Sequence, residues 1–470
     1  MKNTAIVSDA AGSENQQPGA GPESGAPVSQ KPSRIGHYRW IICALLFFAT
    51  TINYMDRQVI GILRPVLGQE LHWANPNNID IEYGYITTAF TISYALGVLF
   101  FGWLIDRIGT KVGYGISVAV WGLSSLSHAL VRSSFGLGIA RVGLGIGESG
   151  NFPSAIKAVA EWFPKKERAL VTGIFNSGAN VGAVLVPLVI PWAIYYFAAD
   201  PAHPFWQIAF ILTGTCDLIW LGFWLAIYQK PAEKKRLTKA EFDYIHSDLD
   251  EQQASTEKVH WVKLLAHRQT WAYFIGKSLT DPPWIFYLFW LPIYLKDKYQ
   301  VDIKDIVHFA LPLMIIYSMT TIGSIGGGWI SSHLIKSGWS VNRARKTAML
   351  CFAAIIPLVI AVKFVSLWPA VILFAIVAAS HQAWSANLLT TASDMFPKKT
   401  VASVTSIGTM GGFTAAALFQ ALAGNVVNAF RLSGNVEIGY LILFILCGVM
   451  YLVALLIFHL LAPKMEIARV

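Results

Sequence analysis

The chain alternates long apolar stretches with short polar loops over most of its length. A helix needs about 20 predominantly apolar residues to cross the ~30 Å hydrocarbon core of a bilayer. The pattern predicts twelve such helices, six on each side of a polar segment near the middle of the chain. We therefore expect an all-α polytopic membrane protein built as two pseudo-symmetric six-helix halves. The predicted spans are residues 38–64, 81–104, 112–131, 135–160, 168–193, 206–228, 265–295, 306–334, 344–363, 367–392, 400–427 and 437–462.

The polar segments set the expected domain boundaries. Residues 1–36 are rich in Gly, Ala, Ser, Gln and Pro, a composition typical of a disordered tail. We expect a first bundle at 37–229, a linker at 230–263, a second bundle at 264–463 and a short tail at 464–470.

The composition agrees with a membrane protein. Charged residues make up 13 % of the chain, against about 25 % in soluble proteins, and hydrophobic residues make up 54 %. A soluble enzyme, a nucleic-acid binder and a secreted disulfide scaffold are therefore excluded. The four cysteines lie in apolar stretches without metal-ligand spacing, so we expect no disulfides, no metal site and no cofactor.

The net charge of +9 is distributed unevenly between the loops. Alternate loops, starting with the one that contains Arg107 and Lys111, carry most of the lysines and arginines, and so does the central linker. Cytoplasmic loops of membrane proteins carry this excess. We therefore expect a bacterial inner-membrane protein with these loops and both termini in the cytoplasm, and no nucleic-acid partner.

A sequence repeat relates the two halves. The segment EWFPKKERALVTGIFNSG at 161–178 corresponds to DMFPKKTVASVTSIGTMG at 394–411, at a register of 233 residues. An even number of predicted helices separates the two copies, so the halves are parallel repeats about an axis along the membrane normal. Residues that this axis places opposite one another, toward a central cavity, are Glu148 with His381 and Asn176 with Thr409.

The loop after the second predicted helix reads GWLIDRIGTK. It resembles the signature loop of the major facilitator superfamily, G-x-x-x-D-R-x-G-x-K. In such a loop the glycines allow close helix approach, and the acidic and basic residues form a latch at the cytoplasmic face. The matching segment of the second half, GWISSH, lacks the Asp-Arg pair, so the two loops cannot be equivalent. The latch residues are Gly102, Asp106, Arg107, Gly109 and Lys111.

Further motifs resemble those of the anion:cation symporter family and, within it, the hexuronate transporters. The resemblance covers the chain from about residue 37 to 462 and implies the major facilitator fold and transport of an organic anion. It is less specific about the substrate, because the same skeleton serves many carboxylates. The motifs are NYMDRQ from Asn53, GESGNFP from Gly147, EWFPKKER from Glu161, FNSGAN from Phe175, HQAWS from His381 and SDMFP from Ser393.

Charged residues inside predicted membrane helices are costly and are therefore functional candidates. Arg57 has a planar fork that suits a carboxylate, and the resemblance implies that it binds the substrate carboxylate. Arg141 lies two turns before Glu148 on one helix face, about 10 Å away along the axis. The resemblance implies that Asp56 and Glu148 carry protons with Arg141 as their charge partner. Purely structural ion pairs are the alternative, and for Asp217 we expect a structural role.

Polar and aromatic residues of other helices are candidates for binding the hydroxyl groups of a sugar acid. Interhelical hydrogen bonding is an open alternative for those in the helix interiors. Lys277 is either a second cation for the substrate or the partner of Asp281, one turn later. The other candidates for substrate binding are Tyr54, Tyr94, Asn176, Asn180, His381, Gln382, Trp384, Ser385 and Thr409.

These features together predict a proton-coupled importer of a sugar-acid monoanion, such as a hexuronate or an aldonate, that works by alternating access. We expect a monomer whose partners are the organic anion, protons and the lipid bilayer. An organic-anion exchanger, a symporter of another carboxylate and a non-transporting membrane sensor are the alternatives. Asp56 and Glu148 argue against the exchanger, which needs no essential carboxylate. A membrane enzyme is disfavoured, because the sequence contains no nucleophile–base or metal constellation.

Overall fold

The fold is helical throughout the residues that a computed structural model describes, which are 36–71, 78–200, 203–235, 237–247, 261–396 and 398–468. The helices of the first half and the linker are α1 Tyr38–Glu70, α2 Ile79–Ile108, α3 Thr110–Ser127, α4 Ser134–Glu148, α5 Asn151–Trp162, α6 Lys165–Tyr196, α7 Gln207–Ile227, α8 Lys239–Ile245 and α9 Trp261–Leu265. The helices of the second half are α10 Arg268–Tyr299, α11 Leu311–Lys336, α12 Val341–Ile355, α13 Leu367–Met395, α14 Lys398–Leu432 and α15 Val436–Leu461.

Two helices are extended at one end by a segment with a different hydrogen-bond pattern. A π-helical turn, Ile306–Ala310, precedes α11, and a 3-10 segment, Ile356–Phe364, follows α12. In the described part of the chain, nine helical segments are long and apolar enough to cross a membrane. The all-α membrane fold is therefore confirmed. The count of twelve spans stays a prediction, because three expected spans are not among the nine. The spans 112–131 and 265–295 fall mainly in the single helices α3 and α10, and the span 135–160 is divided between α4 and α5, which have 15 and 12 residues.

The sequence repeat is also a structural repeat. The corner between α5 and α6 contains Phe163 in an extended conformation, with φ −128° and ψ 136°. The corner between α13 and α14 contains Phe396, with φ −132° and ψ 146°. Lys165 begins α6 and Lys398 begins α14, so the two copies enter their next helix at matching positions.

The two halves meet mainly through three pairs of helices: α1 with α10, α2 with α14, and α6 with α11. Tyr94 on α2 stacks on Phe413 on α14, with ring centroids 4.6 Å apart. Thr88 donates a hydrogen bond of 3.0 Å to the carbonyl of Ala417. We call the end of the molecule with the α2–α3 loop the basic end, and the end where α1 finishes and α2 starts the opposite end. These contacts run from the middle of the helices toward the opposite end.

Two glycines bring the backbones of the two halves close together. A Cβ atom on Gly84 of α2 would lie 2.8 Å from the Cα of Gly424 of α14. A Cβ atom on Gly424 would lie 2.6 Å from the carbonyl oxygen of Asp80. A larger residue at either position would meet backbone that cannot rotate away, so this contact requires glycine.

Arg431 of α14 connects the halves at the opposite end. Its guanidinium binds Asp80 at the start of α2, and its Nη1 donates to Asp297 of α10 at 3.3 Å. Arg64 of α1 also binds Asp80, and the Tyr440 hydroxyl donates to Asp297 at 3.1 Å. Only the bonds between Arg431 and Asp80 cross between the halves, so separating the halves here breaks the two charge-assisted hydrogen bonds of that pair.

At the basic end, the described contacts stay within one half. The backbone N–H of Arg39 donates to Glu241 of α8 at 3.1 Å, and its Nε donates to Glu167 of α6 at 3.0 Å. These bonds hold the linker against the first half. In the second half, the N–H of Ala468 donates to the carbonyl of Met395 at 2.8 Å.

We predict that Gly424→Val separates the halves at the opposite end, because the new side chain would collide with the backbone of α2. Spin labels at the exposed positions Arg132 and Ser433, in a chain whose native cysteines are replaced by alanine, should report a longer distance than without the substitution. Gly222→Val is the control, since a Cβ atom on Gly222 meets nothing within 4 Å. An unchanged distance in the Gly424 variant would contradict the tight contact.

Candidate functional site

Arg57 is at the centre of the candidate site, about 28 Å along an α1 helix that is roughly 50 Å long. Its Nε and Nη2 donate to Oε2 of Glu148 at 3.0 and 2.9 Å. Nη2 also donates to Oδ1 of Asn53 at 3.2 Å. The side chains of Arg57 and Glu148 are 2 % and 0 % exposed. Both N–H groups use the same oxygen, and Oε1 of Glu148 has no partner. The structure therefore brings together a buried ion pair with one free acceptor.

Aromatic rings cover the guanidinium of Arg57. Its Cζ lies 4.7 Å from the ring centroid of Tyr54, 4.7 Å from that of Tyr94 and 5.5 Å from that of Phe90. Such contacts stabilise a desolvated cation. Tyr94 in turn stacks on Phe413 of the second half. One of the rings that cover Arg57 therefore also contacts the second half, so a movement of one half against the other changes the contacts of that ring.

Glu148 is the last residue of α4, where the helix breaks. The next helix begins at Asn151, and Pro153 lacks the N–H that would otherwise donate to the carbonyl of Ser149. Glycines bring this segment close to its neighbours. A Cβ atom on Gly147 would lie 2.4 Å from the backbone nitrogen of Trp121 on α3. The sequence therefore places the Glu148 carboxylate inside the bundle through a helix break and close backbone packing.

The expected role of Arg141 as charge partner of Asp56 and Glu148 stays a prediction, and Arg141 is close enough to both carboxyl groups to interact with them electrostatically. Glu148 forms its ion pair with Arg57 of the neighbouring helix rather than with Arg141. Nη1 of Arg141 donates to the carbonyl of Asp56 at 3.4 Å, while its Nε and Nη2 have no partner. Two helical turns separate Arg141 from Glu148 along α4, about 10 Å, whereas Arg57 reaches the carboxylate from the side.

Asp56 precedes Arg57 on α1, and its carboxyl group lies among α3, α4 and α7. Its Oδ1 accepts a hydrogen bond of 2.8 Å from Ser125, and the Ser125 hydroxyl lies 3.1 Å from that of Thr213. The carboxyl group of Asp217 is within hydrogen-bonding reach of Asp56. From the sequence we expect only a structural role for Asp217. The same argument that makes Glu148 a candidate, an acidic residue inside a predicted membrane helix, also applies to Asp217.

Lys277 and Asp281 form an ion pair in α10, with 2.8 Å between Nζ and Oδ1. Of the two alternatives for Lys277, the structure contains the pair with Asp281, and contact with a substrate stays a prediction. The pair lies against α14, because a Cβ atom on Gly408 would lie 3.2 Å from Cγ of Lys277. Asp281 is also close enough to Tyr54 of the first half to interact with it electrostatically.

His381 and Trp384 lie inside the second half, at 3 % and 0 % exposure. The ring of His381 stacks on Trp284 with centroids 5.0 Å apart, and its Nδ1 is 2.5 Å from the Tyr451 hydroxyl. Nε1 of Trp384 donates to Thr280 at 3.2 Å. The face of α13 that carries both residues packs on α10 and α15. These contacts are interhelical, the alternative that the sequence left open.

The remaining polar candidates are spread over several surfaces. Asn180 joins the halves, since it donates to Thr321 at 2.8 Å and accepts from Thr320 at 3.0 Å. Thr409 donates to the carbonyl of Thr405 in its own helix at 2.9 Å. The structure brings neither of these side chains to Arg57. Asn176 is exposed, whereas Gln382 and Ser385 are half-buried.

The proposed latch occupies the turn between α2 and α3. Gly109 has φ +86°, a conformation that favours glycine, and this allows the sharp turn. The guanidinium of Arg107 lies over the ring of Trp103, and the carbonyl of Lys111 accepts from Nε1 of Trp224 at 3.0 Å. A Cβ atom on Gly102 would meet nothing within 4 Å, so no close helix approach depends on it in this arrangement. The side chain of Asp106 lies outside the described part of the chain.

Comparisons with known proteins agree on one class. A family model described as Major Facilitator Superfamily matches residues 46–420. The hexuronate transporter of Escherichia coli strain K12 is 31 % identical over 407 residues, which are 85 % of this chain and 90 % of that protein. The galacturonate transporter of Dickeya chrysanthemi is 32 % identical over 300 residues, which are 63 % of this chain and 82 % of that protein.

Solved structures share the fold at lower identity. An inward-facing, occupied structure of a bacterial homologue of the human lysosomal transporter Spinster has a TM-score of 0.71 at 17 % identity, and covers 92 % of this chain and 99 % of its own. The D-xylose–proton symporter has a TM-score of 0.71 at 14 % identity, with the same coverage of both chains.

We predict that Glu148→Leu lowers the free energy of unfolding by about 3–5 kcal/mol, because it leaves Arg57 buried without an anion. The double variant Arg57→Leu/Glu148→Leu should recover much of this loss. Unfolding in detergent micelles measures both. Glu437→Leu is the control, since its ion pair with Lys298 is partly exposed and its removal should cost at most about 1 kcal/mol. Equal losses for the single and double variants would contradict a coupled pair.

Proposed function

Because the chain belongs to the Major Facilitator Superfamily, we propose that it carries a sugar-acid anion together with protons across a bacterial inner membrane. The chain is a multi-pass membrane transporter and not an enzyme. The observation that carries the proposal is the Arg57–Glu148 ion pair, buried under aromatic rings where the two halves meet.

The proposed substrate class follows from the relatives and from the chemistry of Arg57. The relatives include transporters named for hexuronate, galacturonate and D-galactonate, which are all sugar acids. A guanidinium fork binds a carboxylate through two parallel hydrogen bonds. Asn53 and the hydroxyl groups of Tyr54 and Tyr94 lie beside that fork and supply partners for sugar hydroxyls. A hexuronate or an aldonate monoanion matches this set.

Substrate and proton binding are coupled through competition for Arg57. A substrate carboxylate that binds Arg57 displaces Glu148, which then lies buried without a cation. An unpaired buried carboxylate is strongly disfavoured, and a proton on Glu148 removes its charge. The anion therefore brings a proton with it, and the site carries no additional charge when the halves move.

Alternating access follows from where the halves touch. The contacts around Arg431 and Gly424 hold the opposite end closed. The positive-inside rule assigns the basic end to the cytoplasm, so in this arrangement the substrate leaves toward the cytoplasm. For uptake, the Arg431 contacts break while the basic end closes, with the midplane site as the pivot.

We predict that a thermal-shift screen of the purified protein selects hexuronates and aldonates. Galacturonate, glucuronate, galactonate and gluconate should raise the melting temperature more than tartrate, sialic acid or phosphate do, because binding to the folded state stabilises it. Arg57→Lys should reduce these shifts, since an ammonium group lacks the planar fork. Arg343→Ala, at an exposed position of α12, is the control. A selective response to phosphate would instead favour an anion exchanger.

We predict that Glu148→Gln abolishes uptake driven by a pH gradient but retains exchange of labelled against unlabelled galacturonate. Glutamine imitates the protonated carboxyl group and cannot release a proton. Proteoliposomes with and without an imposed gradient separate the two activities, and Arg57→Ala should lose both. Undiminished, pH-dependent uptake by both variants would contradict the proposed roles.

A further inference from the structure

A count of the buried charges around Asp56 and Arg57 leaves one carboxylate without a cation. Two arginines, Arg57 and Arg141, and three carboxylates, Asp56, Glu148 and Asp217, are each at most 1 % exposed. Arg57 is engaged by Glu148. If every group is ionised, the cluster carries a net charge of −1 in an apolar surrounding, which is costly. One proton makes the cluster neutral.

The contacts place two of the carboxyl groups next to each other. Asp56 accepts from Ser125 of α3, whose hydroxyl also contacts Thr213 of α7. Asp217 follows Thr213 by one turn, on the same face of α7. This face lies against α3, because a Cβ atom on Gly122 would be 2.9 Å from the Cβ of Asp217. The two carboxyl groups therefore meet where α1, α3 and α7 pack together, within hydrogen-bonding reach.

Ionised carboxylates cannot satisfy each other, because both offer only acceptors. Oδ2 of Asp56 and both oxygens of Asp217 are buried and accept no hydrogen bond of regular geometry. The indole N–H of Trp121 is within reach of Asp217, but one donor cannot serve all of these oxygens. A proton on one carboxyl group supplies a further donor. The polar and titratable groups that face the pair or its neighbour Arg141 are Ser125, Thr213, Trp121, Tyr83, Tyr114, Cys216, Arg57, Arg141, Glu148 and His128. Because Arg57 is engaged by Glu148, Arg141 is the cation that can compensate a charge on Asp56.

We propose that Asp56 and Asp217 share one proton, and that Asp217 is a positioning residue for proton coupling at Asp56. This inference rests on the proposed function. It gives Asp56 two ways to be compensated: the proton shared with Asp217, or the free Nε and Nη2 groups of Arg141. A movement that brings Arg141 onto Asp56 and lets water reach Asp217 releases the proton to that water, and the reverse movement takes one up. Only the proton leaves, and the charge that then remains on Asp217 is hydrated instead of buried.

Infrared spectroscopy of the purified protein tests the shared proton without any transport. At neutral pH the unsubstituted chain should show the carbonyl stretch of a protonated carboxyl group, shifted in deuterated water. Asp217→Asn and, independently, Asp56→Asn should each remove it, because each variant leaves two buried arginines and two buried carboxylates, which are neutral together without a proton. Asp281→Asn, which removes a buried carboxylate paired with Lys277, should retain it. A band that persists in both aspartate variants would overturn the proposal.

The pH profile of uptake tests the role of Asp217. Without a neighbouring carboxylate, Asp56 holds its proton less tightly. For Asp217→Asn, gradient-driven uptake of galacturonate should therefore be half-maximal at a proton concentration about ten times higher. Asp217→Glu should restore the profile, and exchange should continue in both. An unchanged profile in Asp217→Asn would overturn the positioning role. Failure of the unsubstituted chain to transport any sugar acid would instead defeat the proposed function, while the infrared result still decides the shared proton.

Discussion

The buried ion pair between Arg57 and Glu148 is the interaction on which the rest of the first half depends. Taking both charges out of water costs several kcal/mol for each ion, and only close hydrogen bonds and a matched surrounding offset this cost. The aromatic rings over the guanidinium and the amide of Asn53 serve that purpose. The glycine-rich end of α4 serves it too, because these glycines let α4 pack closely on the backbones of α2 and α3 beside Glu148.

This constraint also connects the buried ion pair with the interface between the two halves. Tyr94 covers Arg57 and also stacks on Phe413 of the second half, so the ion pair and the interface between the halves share a residue. At the opposite end, Arg431, which Asp297 of its own half also binds, holds the halves together by an ion pair with Asp80 of the first half. We therefore expect that a change of partner at the Arg57–Glu148 ion pair alters the stability of the contacts between the halves.

Much of the fold was predictable because a bilayer imposes a simple rule on sequence. Apolar stretches near 20 residues mark the helices, and the positions of the described helices follow them. The same rule made Asp56, Arg57, Arg141 and Glu148 conspicuous, since charged residues stand out against an apolar helix. The roles of His381 and Trp384 could not be decided from the sequence, because a polar or aromatic residue fits equally well between helices and on a cavity wall.

The sequence by itself determined the helical class, the two related halves and the set of charged residues buried in the membrane. Only the tertiary structure decided which of these residues are partners. Helical periodicity specifies the face on which Glu148 lies, but the neighbouring helix that meets this face depends on packing between distant parts of the chain. For that reason Arg57, 91 residues away, binds Glu148 in place of Arg141 on the same helix. For the same reason, the neighbourhood of Asp56 and Asp217 became visible only in the folded molecule.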